Sequence, residues 1–452
     1  MRDFKGGSRV RGEDARGLAL KVLLDFDRRD AYLNLLLRSN LESSKLDRRD
    51  RAFLTEMVQG VVRMKGTLDW VLGRFSDREL DSLDTSLLWI LRLSVYQLMF
   101  MSVPDHAACD QGVRMARRYV GRGAAAYANG LLRSFVRGKG DITYPDPERD
   151  FALYLEVGYS HPRWVIDMWI DELGKEKTEL LCRADNVPQP VSIRCNLLKT
   201  SREELASSLR ERGFDAGLSP LVPEGILLSG GGSLAALEEY RNGLFTVQDQ
   251  GSILVGHAVS ARPGLKVLDM CAAPGGKTNH IAELMRNDGR VLALDANEGR
   301  LVLIEESAER LGNDIIETRA MDATEAGKSI DERFDRVLVD APCTGLGTLS
   351  RRPDVRWRKS AGDVDRLSRS QFALLTEGAR MVSPGGLLAY STCTISRREN
   401  ELLVEDFLQN NKRFFPVDVG SLVPGELKGL SLQLFPDTHG CDGIFIAVLR
   451  CH

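Results

Sequence analysis

The sequence lacks the long apolar runs and leader segments that would place it in or across a membrane. Its longest apolar run, Leu87 to Met101, is interrupted by Arg92, Ser94 and Gln97 and falls short of the roughly 18 unbroken apolar residues that a spanning helix needs. We interpret it as a buried helix. The first residues, MRDFKGGSRVRGED, have no apolar segment after their basic residues, so we expect no secretory signal and a cytoplasmic protein that binds no membrane.

Paired cysteines are also missing. None of the eight cysteines belongs to a C-x-x-C pair, which argues against a structural zinc site, and scattered thiols in a reducing compartment do not form a disulfide framework. We therefore expect no bound metal, and we expect most of these cysteines to be ordinary buried residues. They lie at positions 109, 182, 195, 271, 343, 393, 441 and 451.

What the sequence does contain is the composition of a globular protein with two or three domains. It has 452 residues, of which 43% are hydrophobic and 28% are charged. Its net charge of −3 is unevenly distributed, because residues 1–140 carry 25 Lys and Arg against 17 Asp and Glu, and the remainder carries 36 against 47. A basic first third suggests a module that binds a polyanion, although most charge runs are only solvated faces.

The first third has the apolar spacing of helices. Apolar residues recur three or four positions apart on two helical faces, in addition to the buried helix described above. These faces are formed by Leu18, Val22, Leu23 and Phe26, and by Phe53, Met57, Val61 and Met64. We predict an all-α domain over residues 1–140 and a linker at 137–150, where Gly, Pro and Asp concentrate.

The rest of the chain alternates strands with helices. Over residues 151–240, VSIRCNLL and EGILLSG predict strands while SHPRWVIDMWI and REELASSLRERG predict helices, which is typical of a small α+β domain. Residues 241–452 alternate more regularly, with the clearest helix at Arg366 to Val382. Strands are predicted at Lys266 to Met270, Arg290 to Leu294, Arg336 to Val339 and Gly386 to Tyr390. This pattern predicts a Rossmann-like α/β domain with a mostly parallel, doubly wound sheet, whose ligands bind beyond the carboxyl ends of the strands.

A glycine-rich loop joins the first of these strands to a helix in KVLDMCAAPGGKTNHIAELM. Gly275 and Gly276 let the backbone approach a ligand closely, and the N–H groups at the start of the helix favour a carboxylate or phosphate. Asp295 ends the next strand, where it can accept hydrogen bonds from a ribose, and Asp322 follows a third strand. These features predict a nucleoside pocket rather than a plain turn. Both a dinucleotide and S-adenosylmethionine would fit, but the missing G-x-G-x-x-G motif disfavours the dinucleotide.

Two cysteines follow strands at the same predicted edge of the sheet. Asp340, Pro342 and Cys343 come just after one strand in RVLVDAPCTGLG, and Cys393 comes just after another in GGLLAYSTCTI. A buried cysteine without a function lies more often within a strand or on a helix face. We therefore interpret Cys343 and Cys393 as a reactive pair on the cofactor rim.

Paired thiols suit methylation of cytosine at C5, which is a poor nucleophile. A thiolate that adds to C6 leaves an enamine whose C5 can attack a sulfonium methyl group, and a second group must then help to remove the C5 proton. A lowered thiol pKa would favour the attack. Asp340 could hydrogen-bond the pyrimidine edge at N3 and favour charge build-up there. Since a stacked base could not reach such a site, the target must be single-stranded or flipped out.

The loop after Cys343 is rich in cationic and aromatic residues. We expect it either to contact RNA phosphates and bases or to be a solvated loop. Its residues are Arg351, Arg352, Arg356, Trp357, Arg358 and Lys359.

Three short blocks resemble the signatures of the Nop/Sun RNA 5-methylcytosine methyltransferases: CAAPGGKT at 271–278, DAPCTG at 340–345 and STCT at 391–394. GLFTVQDQGS (243–252) and FPDTHGCDGIFIAVL (435–449) are similar to the blocks that flank the catalytic domain of that family. In the first third, DRAFLTEMVQGVVR, ILRLSVYQLMF and YANGLLRSF resemble a NusB-like RNA-binding domain. The resemblance covers nearly the whole chain and points to the methyltransferase B branch, whose substrate is small-subunit ribosomal RNA.

The resemblance implies a role for each block. Cys393 would be the nucleophile and Cys343 would assist release. The residues alone do not decide this order, because cytosine-C5 DNA methyltransferases use a Pro-Cys similar to Pro342-Cys343, whereas the TCT block is that of the RNA enzymes. The implied cofactor is S-adenosyl-L-methionine, and Arg300 is a weaker candidate to contact it. The implied cofactor-binding residues are Cys271, Ala272, Ala273, Pro274, Gly275, Gly276, Lys277, Asp295, Asp322 and Asp340.

Two other functions stay open at this point. The target could be a cytosine of a transfer RNA, or the chain could be a non-catalytic RNA-binding assembly factor, as its basic first third would suggest. The presence of Cys343, Cys393 and the glycine loop argues against the second alternative. We expect ribosomal RNA as the partner, and we expect a monomer.

Overall fold

The structure is a computed structural model that describes residues 14–28, 31–230 and 232–452. The N-terminal segment on which the expectation of no secretory signal rests lies outside these ranges, apart from its last residue. The described part of the chain forms two compact units, one of residues up to 170 with 352–358 and one of residues 171–351 with 359–452. The domain boundaries predicted near residues 140, 151 and 240 stay predictions.

Helices occur in both units, and strands occur in the second. The helices are α1 Ala15–Arg28, α2 Leu33–Ser43, α3 Arg48–Arg63, α4 Lys65–Phe75, α5 Thr85–Phe100, α6 Asp105–Tyr119, α7 Arg122–Gly138, α8 Phe151–Tyr159, α9 Arg163–Leu173, α10 Lys175–Ala184, α11 Arg202–Glu211, α12 Glu238–Arg241, α13 Gln250–Ala258, α14 Gly276–Leu284, α15 Glu298–Leu311, α16 Ala326–Ser329, α17 Val355–Arg358, α18 Ala361–Met381, α19 Glu401–Asn410 and α20 Pro436–His439. The strands are β1 Val191–Cys195, β2 Phe214–Leu218, β3 Gly225–Gly230, β4 Phe245–Val247, β5 Lys266–Asp269, β6 Arg290–Asp295, β7 Ile316–Ala320, β8 Phe334–Asp340, β9 Val382–Thr392, β10 Phe414–Val417, β11 Ser431–Gln433 and β12 Phe445–Cys451.

The first unit is helical, as predicted. The apolar face of α1 is fully buried in a core that also contains Trp89 and Phe135. Helix α5 is buried on most sides, and its polar residues are satisfied locally: Arg92 pairs with Asp69 at 2.6 Å, and Gln97 donates to the carbonyl of Leu93. Because a buried charge is tolerated only when it is paired, these polar residues within the apolar run are compatible with a buried helix. No helix in the described ranges is long and apolar enough to cross a membrane.

The segment of residues 352–358 belongs to the first unit, and it corrects one prediction. Arg356 is fully buried and donates to the carbonyl of Ser160 at 2.9 Å, while the indole N–H of Trp357 donates to the carbonyl of Val62 at 2.6 Å. The expectation that Arg356 contacts RNA or solvent is therefore wrong, whereas Trp357 is part-buried and its N–H group is used within the helical unit. Their polar groups are used to satisfy backbone carbonyls of the helical unit.

The predicted linker at 137–150 also lies within the first unit. Helix α7 continues to Gly138, and the ring of Tyr144 stacks on Trp70 with centroids 5.5 Å apart. Gly, Pro and Asp end the helix here because they favour turns, and the stretch that follows is mostly exposed, with Tyr144 as one point of contact with the helical core.

The second unit begins with a small antiparallel sheet in the order β2-β3-β1-β4. Helix α11 packs on it and is capped by Ser201, whose hydroxyl accepts from the N–H of Glu204 in a capping box. Ile193, Phe214 and Phe245 are buried in its core. This is the small α+β domain that the sequence predicts.

The larger sheet of the second unit has the order β10-β12-β9-β8-β5-β6-β7, with β11 paired to β12. Strands β5 to β9 pair in parallel, and the C-terminal strands add antiparallel pairs. Successive residues of β8, Val337 to Val339, are all buried, as expected for a parallel strand whose two faces are covered. The mostly parallel sheet is confirmed; the antiparallel strands at one edge were not predicted.

Candidate active site

Predicted site residues lie at one edge of the large sheet, and Asp269, which the sequence did not single out, lies there with them. Asp269, Asp295 and Asp340 are the last residues of β5, β6 and β8, and Cys393 directly follows β9. Asp322 comes two residues after β7 ends. Because β5 to β9 run parallel, their carboxyl ends lie at the same edge, where ligands of doubly wound sheets bind.

The glycine-rich loop turns directly into helix α14. Gly275 has φ +99, a left-handed conformation that favours glycine, and a Cβ there would lie 3.1 Å from the Cα of Ile304. Gly276 and Lys277 are the first two residues of the nine-residue helix, so their backbone N–H groups belong to its electropositive end. The loop thus supplies backbone donors at the edge where the strand-end carboxylates lie.

Asp295 is tied to this loop. One carboxylate oxygen accepts from the N–H of Ala273 at 3.3 Å, and the other accepts from the N–H of Asn297 at 2.9 Å. Arg300 bridges the same two elements, with Nη1 3.3 Å from Asp295 and Nη2 donating to the carbonyl of Ala273 at 2.6 Å. Arg300 therefore stabilises the loop by binding both Asp295 and the carbonyl of Ala273, and these contacts account for its position without direct contact with the cofactor.

Asp322 is exposed and caps the short helical turn that follows it. Its Oδ1 accepts from the backbone N–H and the hydroxyl of Thr324 at 2.9 and 2.7 Å. These hydrogen bonds lower the pKa of Asp322, so the side chain is a stable anion at the rim.

Two other groups beside the loop are protonated at neutral or mildly acidic pH. Burial raises the pKa of Asp269 to about 7, against the opposing effect of the hydrogen bond from the Thr278 hydroxyl at 2.8 Å. Burial likewise raises the pKa of the Cys271 thiol. Cys271 is therefore a poor nucleophile, although it lies close to the reactive rim.

Lys277 connects the cofactor loop with the strand that precedes Cys343. Its Nζ lies 2.6 Å from Oδ2 of Asp340, whose Oδ1 accepts from the hydroxyl of Ser391 at 2.7 Å. Burial by itself lowers the pKa of Lys277, but the charge and hydrogen bond of Asp340 outweigh it and raise the pKa, with a smaller contribution from Cys393. A cationic ammonium group therefore lies beside the end of β8, where the predicted site residue Asp340 is located.

The two sulfurs lie in direct contact. Sγ of Cys343 is 3.2 Å from Sγ of Cys393, and the backbone N–H of Cys393 donates to Sγ of Cys343 at 3.3 Å. The hydrogen bond to Cys393 and then burial raise the pKa of Cys343 well above its ordinary value. The strands before both residues, β8 and β9, are hydrogen-bonded neighbours, which explains why residues 50 positions apart in sequence meet.

The loop after Cys343 is held against a C-terminal loop. Gly347 donates to the carbonyl of Cys393 at 3.0 Å and accepts from the N–H of Gly443 at 2.7 Å. A Cβ at Gly347 would collide with the carbonyl of Gly443. Close approach of two backbones requires glycine here.

Arg351, predicted as an RNA contact, forms part of an internal ion cluster instead. It lies 3.0 Å from Asp249 and 3.1 Å from Asp442. Burial and the neighbouring Asp249 raise the pKa of Asp442. The sequence analysis predicted no role for either Asp249 or Asp442. For Asp442, the available signal was its position in GCDG, within a block that resembles the family.

One further cluster of the second unit lies outside the strand-end edge. His257 and His280 place Nε2 2.8 and 2.7 Å from the same carboxylate oxygen of Glu224, and the three residues have ligand types that metals accept. The distances are those of hydrogen bonds, and the hydrogen bonds to the two imidazoles depress the pKa of Glu224 despite its burial. The absence of a bound metal stays a prediction.

Comparisons with known proteins agree with the three parts of the chain. The family model for the 16S rRNA methyltransferase RsmB/F matches residues 257–450, the NusB family model matches 13–137, and an RsmF/B-like ferredoxin-like domain matches 161–235. The probable ribosomal RNA small subunit methyltransferase B of Bacillus subtilis is 37% identical over 442 residues, which cover 96% of this chain and 98% of that protein. The chain belongs to the RsmB/F methyltransferase family. Ribosomal RNA small subunit methyltransferase B of Erwinia tasmaniensis is 30% identical over 89% of this chain and 90% of its own length.

Solved structures support the same assignment. The crystal structure of PH0851 is 28% identical, with a TM-score of 0.82 over 98% of this chain and 100% of that one. NSun6 from Pyrococcus horikoshii, solved with SFG, is 25% identical, with a TM-score of 0.58 over 64% of this chain and 98% of that one. The cofactor of the family, S-adenosyl-L-methionine, is therefore the cofactor of this chain.

The residues at the edge fit this cofactor. The loop of residues 271–277 ends in backbone N–H groups that suit a carboxylate, and the carboxylates of Asp295 and Asp322 suit hydroxyl and amine donors of a nucleoside. We expect these residues, with Asp340, to hold it. When bound, S-adenosylmethionine would supply an electrophilic methyl group.

Proposed function

We propose that this chain methylates C5 of a cytosine in small-subunit (16S) ribosomal RNA, through a covalent bond between Cys393 and C6 of the base. The observation that carries the proposal is the contact of the two sulfurs, 3.2 Å apart, at the ends of neighbouring parallel strands. Family membership supports ribosomal RNA as the substrate. The paired thiols support cytosine C5 as the target, because activation of that carbon requires a nucleophile at C6.

The first step is addition of the Cys393 thiolate to C6, which forms a C–S bond and makes C5 nucleophilic. After C5 has gained the methyl group, its proton must leave, so that the electron pair reforms the C5–C6 double bond and the C–S bond breaks. Cys343 lies where it can assist this release, since its sulfur touches the sulfur that departs. A general base accepts the C5 proton.

The charges around the pair favour this order of roles. The hydrogen bond to Cys393 and burial raise the pKa of Cys343, so Cys343 keeps its proton and is disfavoured as the attacking thiolate. A thiolate formed at Cys393 would be stabilised by the ammonium group of Lys277. Asp340, held by Lys277 and Ser391, has further lone pairs with which to favour protonation at N3 of the base.

The substrate is tested with labelled cofactor and, in separate reactions, bare ribosomal RNA and transfer RNA. Label should enter a single cytosine of the small-subunit RNA, as 5-methylcytosine. Label found only in adenine or guanine would exclude the proposed chemistry, and label found only in transfer RNA would move the activity to the alternative substrate.

The order of the cysteines is tested by trapping. Cys343→Ala should accumulate a covalent protein–RNA adduct that survives denaturing electrophoresis, because attack proceeds while release fails. Cys393→Ala should give neither adduct nor product. The matched control is Cys109→Ala, a half-buried cysteine of the helical unit, which should behave as the wild type. The reverse pattern for Cys343 and Cys393 would exchange their roles.

A further inference from the structure

Two consecutive polar side chains, Glu399 and Asn400, are completely buried in the loop that precedes α19. They follow Cys393 by six and seven positions, and none of the steps above uses them. Burial of a carboxylate is unfavourable unless its oxygens are hydrogen bonded. The hydrogen-bond partners of Glu399 and Asn400 therefore show how these two side chains are stabilised in the interior.

Glu399 reaches the loop that carries Cys343. One of its oxygens accepts from the backbone N–H of Thr344 at 2.9 Å, and the other accepts from the hydroxyl of Thr344 at 2.5 Å. Gln371 of α18 donates to the first of these oxygens and to the carbonyl of Pro342, both at 2.9 Å. The residues before and after Cys343 are thus both tied, directly or through one amide, to a single carboxylate.

Asn400 reaches the loop that carries Cys393. Its Oδ1 accepts from the hydroxyl of Thr392 at 2.6 Å, and its Nδ2 donates to the carbonyl of Thr394 at 3.0 Å. These residues flank Cys393 on either side. The hydroxyls of Thr344 and Thr394 lie 2.7 Å apart and join the two loops, so one dipeptide holds the backbone around both sulfurs.

We propose that Glu399 and Asn400 are positioning residues, Glu399 for the Cys343 loop and Asn400 for the Cys393 loop, and that together they set the distance between the two sulfurs. The inference rests on the proposed function. It makes a prediction that the proposed function does not: the two neighbours affect different steps. Displacement of Cys343 slows release, whereas displacement of Cys393 slows attack.

The test measures both steps in the full-length chain under single turnover, with bare small-subunit ribosomal RNA and S-adenosylmethionine. Glu399→Gln replaces an acceptor oxygen with an N–H₂ group, which cannot accept from Thr344. Adduct should form within about threefold of the wild-type rate and decay about tenfold more slowly. Asn400→Ala should form adduct about tenfold more slowly and should not accumulate it.

Two further variants show whether the effect passes through the hydroxyl of Thr344. Thr344→Val keeps the backbone N–H but removes the hydroxyl, and it should slow adduct decay in the same direction as Glu399→Gln by a smaller factor. Thr344→Ser restores the hydroxyl and should restore the decay rate. This pair carries the test if Glu399→Gln does not fold. Glu405→Gln, an exposed position on α19, is the matched control and should leave both rates unchanged.

The outcomes separate this inference from the proposed function. If the wild type forms neither adduct nor 5-methylcytosine, the proposed function fails. If the wild type forms both, but Glu399→Gln and Thr344→Val release product at the wild-type rate, the positioning role fails. Equal slowing of attack and release in both Glu399→Gln and Asn400→Ala, together with a lowered melting temperature, would also overturn it, because that pattern indicates only a structural role.

Discussion

The loop of residues 340–345 and the segment of residues 352–358 are close in sequence, and both carry residue types that suggest contact with RNA or its target base. The structure uses them differently. Cys343 follows a parallel strand and lies against Cys393 at the edge where the strands end. Arg356 and Trp357 are instead held by backbone carbonyls of the helical unit. A residue within a few positions of the end of a parallel strand is placed by the sheet, whereas a residue deeper in a loop is placed by whatever it packs against.

The largest expected effect concerns Arg356, the buried residue of the segment of residues 352–358. Arg356→Met should lower the free energy of unfolding of the helical unit by about 3–4 kcal/mol, because it leaves buried carbonyls without their charged donor. Urea unfolding of the full chain, followed by hydrogen exchange of the N–H groups in α3, would measure the loss. Arg352→Met, at an exposed position of the same segment, should change stability by less than about 0.5 kcal/mol.

The same variant separates a structural role from RNA contact. A side chain that neutralises one phosphate of a single strand contributes about 0.7 to the slope of log affinity against log salt. Arg356→Met should leave that slope unchanged. A slope reduced by about 0.7, with wild-type stability, would return Arg356 to the RNA interface.

A variant of Lys277 tests the other part of the comparison, the residues at the ends of the parallel strands. Lys277→Met removes the ammonium group that pairs with Asp340 and lies beside the cysteine pair. Loss of this cation disfavours the thiolate. In a Cys343→Ala background, adduct formation at pH 7 should fall about 100-fold and recover in part at higher pH. Lys277→Arg, which keeps the charge, should lose less. A pH-independent loss would indicate that Lys277 acts on cofactor binding alone.

A variant of Asp269 tests whether the carboxyl group at the end of β5 is buried in its protonated form. Its pKa of about 7 in the folded chain lies above the value of about 3.9 for an exposed aspartate. Between these values the unfolded chain is ionised while the folded chain is protonated, so this group's contribution to stability is lost as the pH rises through that window. Relative to the wild type, Asp269→Asn should gain about 2 kcal/mol of unfolding free energy from pH 5 to pH 7.

The measurement for Asp269 is urea unfolding of both chains at each pH. Asp365→Asn is the control, since that carboxylate is exposed. A stability difference between wild type and Asp269→Asn that does not change with pH would contradict the raised pKa.

The smallest effect concerns the loop contact that supports Cys343. Gly347→Ala forces the loop away from the carbonyl of Gly443, and a shift of about 1 Å should lower the methylation rate about tenfold or more. Single-turnover rates measure this. Gly362→Ala, which has open space around it in the first turn of α18, should have the wild-type rate. Unchanged activity of Gly347→Ala would show that the loop tolerates displacement.

Much of the site could be predicted because the relevant residues end strands. Asp295, Asp340 and Cys393 required only a recognised strand and the rule that parallel strands end together. Glu399 and Asn400 could not be found in this way. In SRREN they look like ordinary polar residues before a helix, and their importance depends on burial against two loops that the sequence does not show to be near.

By itself the sequence determined the helical first part, the mostly parallel sheet and the set of strand-end side chains, because periodicity and turn residues act locally along the chain. The tertiary structure alone decided that the two sulfurs touch, that Lys277 pairs with Asp340, and that Arg356 is buried. Each of these depends on the side-by-side placement of elements far apart in sequence. Such contacts follow from packing and from the need to satisfy buried polar groups, and neither is encoded in any one segment.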